Sequence, residues 1–237
     1  MTELGRLSGQ RVLVTGAAGG IGAAAITRLT QDGADIVPTD VVTTAGMRGC
    51  DITERNAVDA MMAAAGPLWG VVHAAALCGG SGSFETVASP DFARYVEVNL
   101  QGAFNVIQSA ARAMIAGGKG GRIVVVGSVN ALVAEPGAAP YAAAKGGLRM
   151  LARAAAVDLA RHGIAVSLVH PGPIEVPRNA DLFASPALRE AFAARIPMGG
   201  PGTPEAVAAA ISYLLDPAAT YTTGAEIMVD GGATARF

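Results

Sequence analysis

Tyr141 and Lys145 are separated by three alanines, so on a helix a phenol and an ammonium leave one face about a turn apart. An unperturbed phenol ionises near pH ~10, and a neighbouring cation favours the phenolate, which makes the pair a candidate acid/base couple for exchanging a proton with an alcohol oxygen. Any helix can carry the same spacing as a surface contact. The pair therefore acquires meaning only from the elements that would position it.

The first of these is a glycine turn. The apolar run Arg11–Thr15 enters Gly16, Gly19, Gly20, Ile21 and Gly22, and an Ala-rich helical stretch follows to about Asp32. Glycines between a strand and a helix give a tight turn, a close approach of backbone to pyrophosphate, and close helix packing. An acidic residue some twenty positions further on strengthens the reading, and Asp40 ends the predicted second strand, Ala34–Asp40. There a carboxylate accepts hydrogen bonds from both hydroxyls of an adenosine ribose and repels a 2′-phosphate. No Arg or Lys lies in Gly16–Gly22, and Val-Val-Thr-Thr follows Asp40, so a cationic phosphate pocket is missing and NAD is favoured over NADP. An Asp that merely caps a strand is the plainer alternative.

Further strands are expected at Met47–Cys50, Gly70–Ala75, Arg122–Gly127, Ala165–Val169 and Glu226–Val229, with helices near Glu54–Ala65, Ala93–Ala116, Tyr141–Arg161 and Pro204–Leu215. Thr53 is placed to cap the second of the helices. Strand and helix alternate throughout, which predicts an α/β fold with a doubly wound parallel sheet, as a single domain over 1–237. Only Ile174–Pro204 breaks the rhythm: prolines among short apolar clusters suggest an irregular excursion, a small lid over a site. Met114, Met150 and Met198 read as core or lid packing.

Composition narrows the function. The chain has 237 residues, 51% hydrophobic and 15% charged, with a net charge of −2 and no basic stripe to follow a phosphate backbone, so nucleic acid is a poor partner. Two cysteines, Cys50 and Cys78, without paired ligands indicate reduced thiols and no metal site. Met1 to Gln10 is polar, and no apolar run reaches membrane-spanning length, so a soluble, cytoplasmic protein is expected.

Taken together, the motifs resemble those of the classical short-chain dehydrogenase/reductase family from about Ser8 to Gly232. Thr15-Gly-Ala-Ala-Gly-Gly-Ile-Gly22 is similar to its TGxxxGxG turn, Asn99 to its tetrad asparagine, Ser128 to its catalytic serine, and Tyr141-Ala-Ala-Ala-Lys145 to its YxxxK. The resemblance implies a Rossmann fold and a catalytic set of Asn99, Ser128, Tyr141 and Lys145. Tyr141 would be the general acid/base with its pKa lowered by Lys145, whose ammonium would also bond the nicotinamide ribose. Ser128 would polarise the substrate oxygen, and Asn99, inside a helix, would hold a relay water. It further implies cofactor contacts from Asp51 and Ile52 at the adenine, from Ala75 and Ala76 after the fourth strand, and from Pro171, Gly172 and Ile174. A homotetramer built through the helices near Asn99–Ala116 and Tyr141–Arg161 is implied as well.

Two departures stand out. His73-Ala-Ala-Ala76 replaces the family's Asn-Asn-Ala-Gly, with His73 as a substitute hydrogen-bonding group, and Val176 stands where a threonine commonly bonds the carboxamide. The leading expectation is an NAD-dependent oxidoreductase interconverting a secondary alcohol and a ketone. The alternative is a dinucleotide-binding regulatory or scaffold subunit with little turnover, motivated by those departures. A nucleotide-sugar epimerase is disfavoured by the glycine spacing and by chain length. Leu77–Phe84, Val129–Pro136 and Ile174–Ile196 are the expected pocket walls, and Arg178, Arg189 and Arg195 are read as solvated in preference to anion-binding.

Overall fold

The computed structural model describes residues 5–44 and 46–236, so residues 1–4 of the polar N-terminal stretch lie outside it. Val12, Leu13 and Val14 are fully buried, as are Val71 and Val72, which is what strands covered on both faces require. They belong to β1 (Arg11–Thr15) and β4 (Gly70–His73), the centre of a seven-stranded sheet. The others are β2 (Asp35–Asp40), β3 (Arg48–Gly49), β5 (Gly121–Val126), β6 (Ile164–Pro171) and β7 (Glu226–Val229), in the order β3-β2-β1-β4-β5-β6-β7. Every pairing is parallel. This is the doubly wound α/β sheet that the alternating pattern predicts.

Alternate strand residues serve opposite layers. Val12, Val14, Val72, Val124 and Val126 pack with Ala25 and Leu29 of α1 (Gly20–Gln31) and with Val207, Ile211 and Leu215 of α8 (Pro204–Leu215). Leu13, Val71, Ile123 and Val125 pack on the other face with Val58 of α2 (Arg55–Ala65), Val106 and Ala110 of α4 (Ala103–Gly117), and Leu148 and Ala152 of α5 (Ala139–Leu159). Alanine and glycine let these helices sit close: an added Cβ on Gly102 would come within 2.8 Å of Ile52, and one on Gly147 within 3.0 Å of Leu100.

The expected helix Ala93–Ala116 is interrupted. α3 (Ser89–Val96) passes into a π-helical turn, Glu97–Gly102, before α4 begins. Asn99 lies in this turn and its side chain bonds the Leu77 backbone; such single π turns recur at functional positions. Thr53 does not cap α2. Glu54 occupies the N-cap position without a side-chain bond, and the Thr53 hydroxyl instead donates to Asp51 at 2.7 Å. Met114 is buried as expected, but Met150 and Met198 face solvent. The excursion holds a 3₁₀ turn at Pro177–Asn179, α6 (Ala180–Ala184) and α7 (Pro186–Arg195), closed at its base by Gly202 donating to the Pro173 carbonyl at 2.9 Å. No helix among the described residues is long and apolar enough to cross a membrane.

The turn after β1 leaves no slack: a Cβ on Gly22 would lie 2.0 Å from the Gly16 carbonyl oxygen. Gly22→Ala is expected to cost about 1–3 kcal/mol in urea denaturation, as overpacking does. Gly117→Ala, with nothing within 4 Å of the new methyl, should be neutral or stabilising by up to about 1 kcal/mol.

Candidate active site

The chain crosses from β3 at one edge to β4 beside β1, so the winding reverses between β1 and β4. Crevices in such sheets open at the carboxyl ends of the strands at that reversal. Here those ends deliver Thr15 and the glycine turn from β1, Asp40 from β2, His73 from β4, Ser128 from just past β5, and Pro171 from β6.

Gly16 adopts φ +71°, and a Cβ there would sit 2.5 Å from the Ala75 amide nitrogen, so the turn after β1 and the segment just past β4 touch backbone to backbone. Gly19 is the N-cap of α1 and provides no side-chain bond, which leaves the first helix amides, including those of Ile21 and Gly22, directed out of the turn. An uncapped helix start with no side chain in the way suits an anionic group. Asp40 braces the turn from the side: its Oδ2 accepts from the Ala18 amide at 2.9 Å and its Oδ1 from the Val42 amide at 3.0 Å. Each carboxylate oxygen keeps a further lone pair for a ribose hydroxyl. The residues thus fit a dinucleotide at its pyrophosphate and adenosine ends. Ile52 is buried near Asp51, whose carboxyl is held below the usual carboxylate range by the amide and hydroxyl of Thr53.

Tyr141 lies in the first turn of α5, just inside Pro140, and Lys145 follows one turn later. Lys145 is buried and donates its Nζ proton to the Val126 carbonyl at the end of β5, 2.9 Å away; burial depresses its pKa to about 8. Its ammonium lies 5.7 Å from the centre of the Tyr141 ring. The expectation that Lys145 lowers the Tyr141 pKa is corrected. Burial drives it up, the Cys78 thiol adds to the rise, and a hydrogen bond from Ser128 together with the charge of Arg178 only partly offsets them. Tyr141 is therefore a protonated phenol at neutral pH, because desolvation of a phenolate outweighs an ammonium already committed to a carbonyl.

Ser128 caps the short turn Val129–Ala131, its Oγ accepting from the Asn130 amide at 3.1 Å. Asn99 is buried and spends its amide on Leu77, Oδ1 accepting from the Leu77 amide and Nδ2 donating to the Leu77 carbonyl, both at 2.9 Å. Its side chain is thus a staple on the wall of the site, whatever water its backbone meets. That wall includes Cys78, which sequence inspection grouped only as part of a pocket segment; its closeness to the phenol could not be read from spacing.

The departures resolve structurally. His73 is buried, its Nδ1 2.9 Å from the Thr15 hydroxyl, so it ties β1 to β4 as the substitute expected; its Nε2 has no hydrogen-bond partner among the described residues. Val176 rests on the glycine turn, where a Cβ on Gly20 would meet its Cγ1 at 2.6 Å. The Ile174 carbonyl is taken by the Asn179 side chain at 2.9 Å, which leaves that oxygen engaged within the excursion. Gly172 lets β6 end against Asp230, whose Cβ would lie 2.8 Å from an added one. Arg189 is committed to both Glu175 oxygens and to the Phe183 carbonyl and is not a free cation.

The comparisons agree with this geometry. A family model described as Enoyl-(Acyl carrier protein) reductase matches residues 16–234. The chain belongs to the short-chain dehydrogenase/reductase family. It is 34% identical to an L-rhamnose 1-dehydrogenase (NAD(P)(+)) of Sphingomonas sp. (strain SKA58), covering 95% of this chain and 96% of that one. A cis-4-hydroxycyclohexanecarboxylate dehydrogenase of Sinomonas cyclohexanicum is 36% identical over 98% of this chain and 100% of its own. Among solved structures, a gluconate 5-dehydrogenase from Burkholderia cenocepacia in complex with NADP and tartrate superposes with a TM-score of 0.92 at 31% identity, over 98% of each chain. The short-chain dehydrogenase/reductase sheet order and the Ser128, Tyr141, Lys145 cluster therefore occur together in one chain of that family.

Burial pushes the His73 imidazole down to about 3, with the Lys145 charge adding to the effect. The unfolded chain then binds a proton that the folded one refuses between about pH 3 and 6.5, so stability falls as pH drops through that window. His73→Asn should flatten the decline, measured as the change in urea midpoint between pH 7 and pH 5.

Proposed function

We propose that this member of the family is an NAD(H)-dependent dehydrogenase that interconverts a secondary alcohol and a ketone. The reading rests on one observation above the others: a buried ammonium, a protonated phenol and a serine hydroxyl beside it stand at the carboxyl edge of the sheet next to a glycine turn braced by Asp40. The bound nicotinamide supplies or accepts the hydride, so the chain is left with placement and proton handling.

In ketone reduction the Tyr141 phenol donates its proton to the oxygen that becomes the hydroxyl, and in oxidation the same oxygen takes it back. Ser128 donates to the substrate oxygen and orients it toward Tyr141. Lys145 carries the positive charge that makes the transient phenolate tolerable, and its depressed pKa of about 8 lets it exchange a proton near neutrality. Asp40 selects NAD by accepting from the ribose hydroxyls and repelling a 2′-phosphate. Residues 1–237 act as one dinucleotide-binding domain in this reading, and 174–204 form the lid whose Val176 already rests on Gly20. The relatives named for L-rhamnose and for a hydroxycyclohexanecarboxylate favour a hydroxylated ring compound as substrate. Apolar side chains exposed on α4 and α5, among them Phe104, Ile115, Met150 and Val157, favour assembly into a homo-oligomer, a tetramer by family resemblance.

Tyr141→Phe is expected to lower kcat/KM by about 100- to 10,000-fold while NADH binding persists, read from NADH absorbance with a panel of alcohols and ketones. Rates equal to those of the unaltered protein would remove the assigned proton role, and cofactor binding without turnover on any substrate would favour the regulatory alternative. Asp40→Ala should weaken NADH binding about tenfold, some 1.4 kcal/mol, without weakening NADPH, measured by fluorescence titration.

A further inference from the structure

Tyr141, Lys145, Arg149 and Arg153 follow one another at four-residue steps along α5, so one ridge of the helix carries a phenol, an ammonium and two guanidiniums. The first two belong to the site already described. The second two converge on Glu226 at the start of β7: Arg149 Nε donates to Oε2 at 2.7 Å and Arg153 Nη1 to Oε1 at 3.1 Å. The same Glu226 Oε2 lies 3.4 Å from Nε2 of His170 on the neighbouring strand β6. His170 is wholly buried, and its Nδ1 is 3.0 Å from the Ser128 carbonyl oxygen and 3.3 Å from the Ser128 amide nitrogen. Gly127 makes room for the ring, since a Cβ there would lie 2.5 Å from Nδ1. The contacts thus run from α5 through Glu226 and His170 to Ser128, which lies beside the phenol.

Ser128 needs such a support because it lies past the last paired residue of β5, where the ladder no longer holds the backbone. The imidazole is the group that meets both its amide and its carbonyl. With a proton on Nε2 the ring turns a donor toward the Glu226 carboxylate and its Nδ1 accepts from the Ser128 amide, whereas a proton on Nδ1 bonds the Ser128 carbonyl but turns a lone pair on Glu226. Nε2 has no well-aligned hydrogen bond among the described residues. In the imidazolium Nδ1 no longer accepts from the Ser128 amide and donates to the Ser128 carbonyl instead.

We propose that His170, seated by Glu226 and the Arg149–Arg153 pair, is a positioning residue that fixes the Ser128 hydroxyl against Tyr141, and that protonation of the ring alters that fix. The effect on rate rests on the dehydrogenase reading above; the effect on Ser128 does not. Burial opposes the charged ring, as do Arg149 and Lys145 of α5, while Glu226 of β7 and the Ser128 carbonyl favour it, and the balance leaves its pKa lowered.

The test uses His170→Leu, His170→Asn and Glu226→Gln in the full chain. His170→Leu should lower kcat about tenfold or more with KM for NAD unchanged, whereas His170→Asn, whose amide can stand in for Nδ1, should recover most of the loss. Glu226→Gln should move the acid limb of the kcat profile to lower pH, because the imidazolium loses its counter-charge. Backbone and histidine-ring nitrogen NMR supplies a readout independent of turnover: the Ser128 amide resonance should shift as His170 titrates. Equal kcat in His170→Leu and the unaltered protein, or losses in His170→Leu and His170→Asn that merely track melting temperature, would overturn the proposal. If the unaltered protein oxidises no alcohol, the dehydrogenase reading fails, and a Ser128 resonance that ignores His170 titration then overturns the positioning role by itself.

Discussion

The Lys145 ammonium sits inside the protein with its Nζ proton given to the Val126 carbonyl, and that single bond ties the middle of α5 to the end of β5. Burying an ammonium costs several kcal/mol unless a partner or a lowered pKa relieves it, and both forms of relief are in use here. Because Val126 ends its strand two residues before Ser128, the anchor also sets how near the Tyr141 turn approaches the serine. Loosening it would shift the Tyr141 turn against Ser128.

Much of this was legible in the chain. Apolar runs bounded by glycine and charged residues located the central strands, and burial of β4 and β5 on both faces explains why their runs show little alternation. Gly16, Gly22 and Asp40 announced their turn because its sterics admit few other residues: a side chain on Gly22 would occupy the space of a carbonyl oxygen. The helical spacing of Tyr141 and Lys145 likewise survived unchanged.

What escaped the sequence depends on contacts between distant residues. The π turn at Asn99 comes with bonds from its side chain to Leu77, 22 positions away, and no local periodicity encodes it. The direction of the Tyr141 shift could not be inferred from a neighbouring lysine, because spacing reports which groups are near and says nothing of how much water each has lost. Nothing in the sequence around His170 signals its role, since its partners Ser128 and Glu226 lie 42 positions before it and on another strand after it. Thr53 fails as a helix cap for a local reason: its hydroxyl donates to Asp51, two residues upstream, and Glu54 takes the N-cap position.

The ridge of α5 has a consequence for which changes the chain can absorb. Side chains at Tyr141, Lys145, Arg149 and Arg153 face inward together only while the number of residues between them stays fixed, since each added residue turns everything beyond it by about 100°. Substitutions among the intervening alanines leave that phase intact. A one-residue insertion or deletion anywhere from Ala142 to Ala152 turns at least one of the three cations out of line with Tyr141, so this stretch tolerates a change of side chain more readily than a change of length.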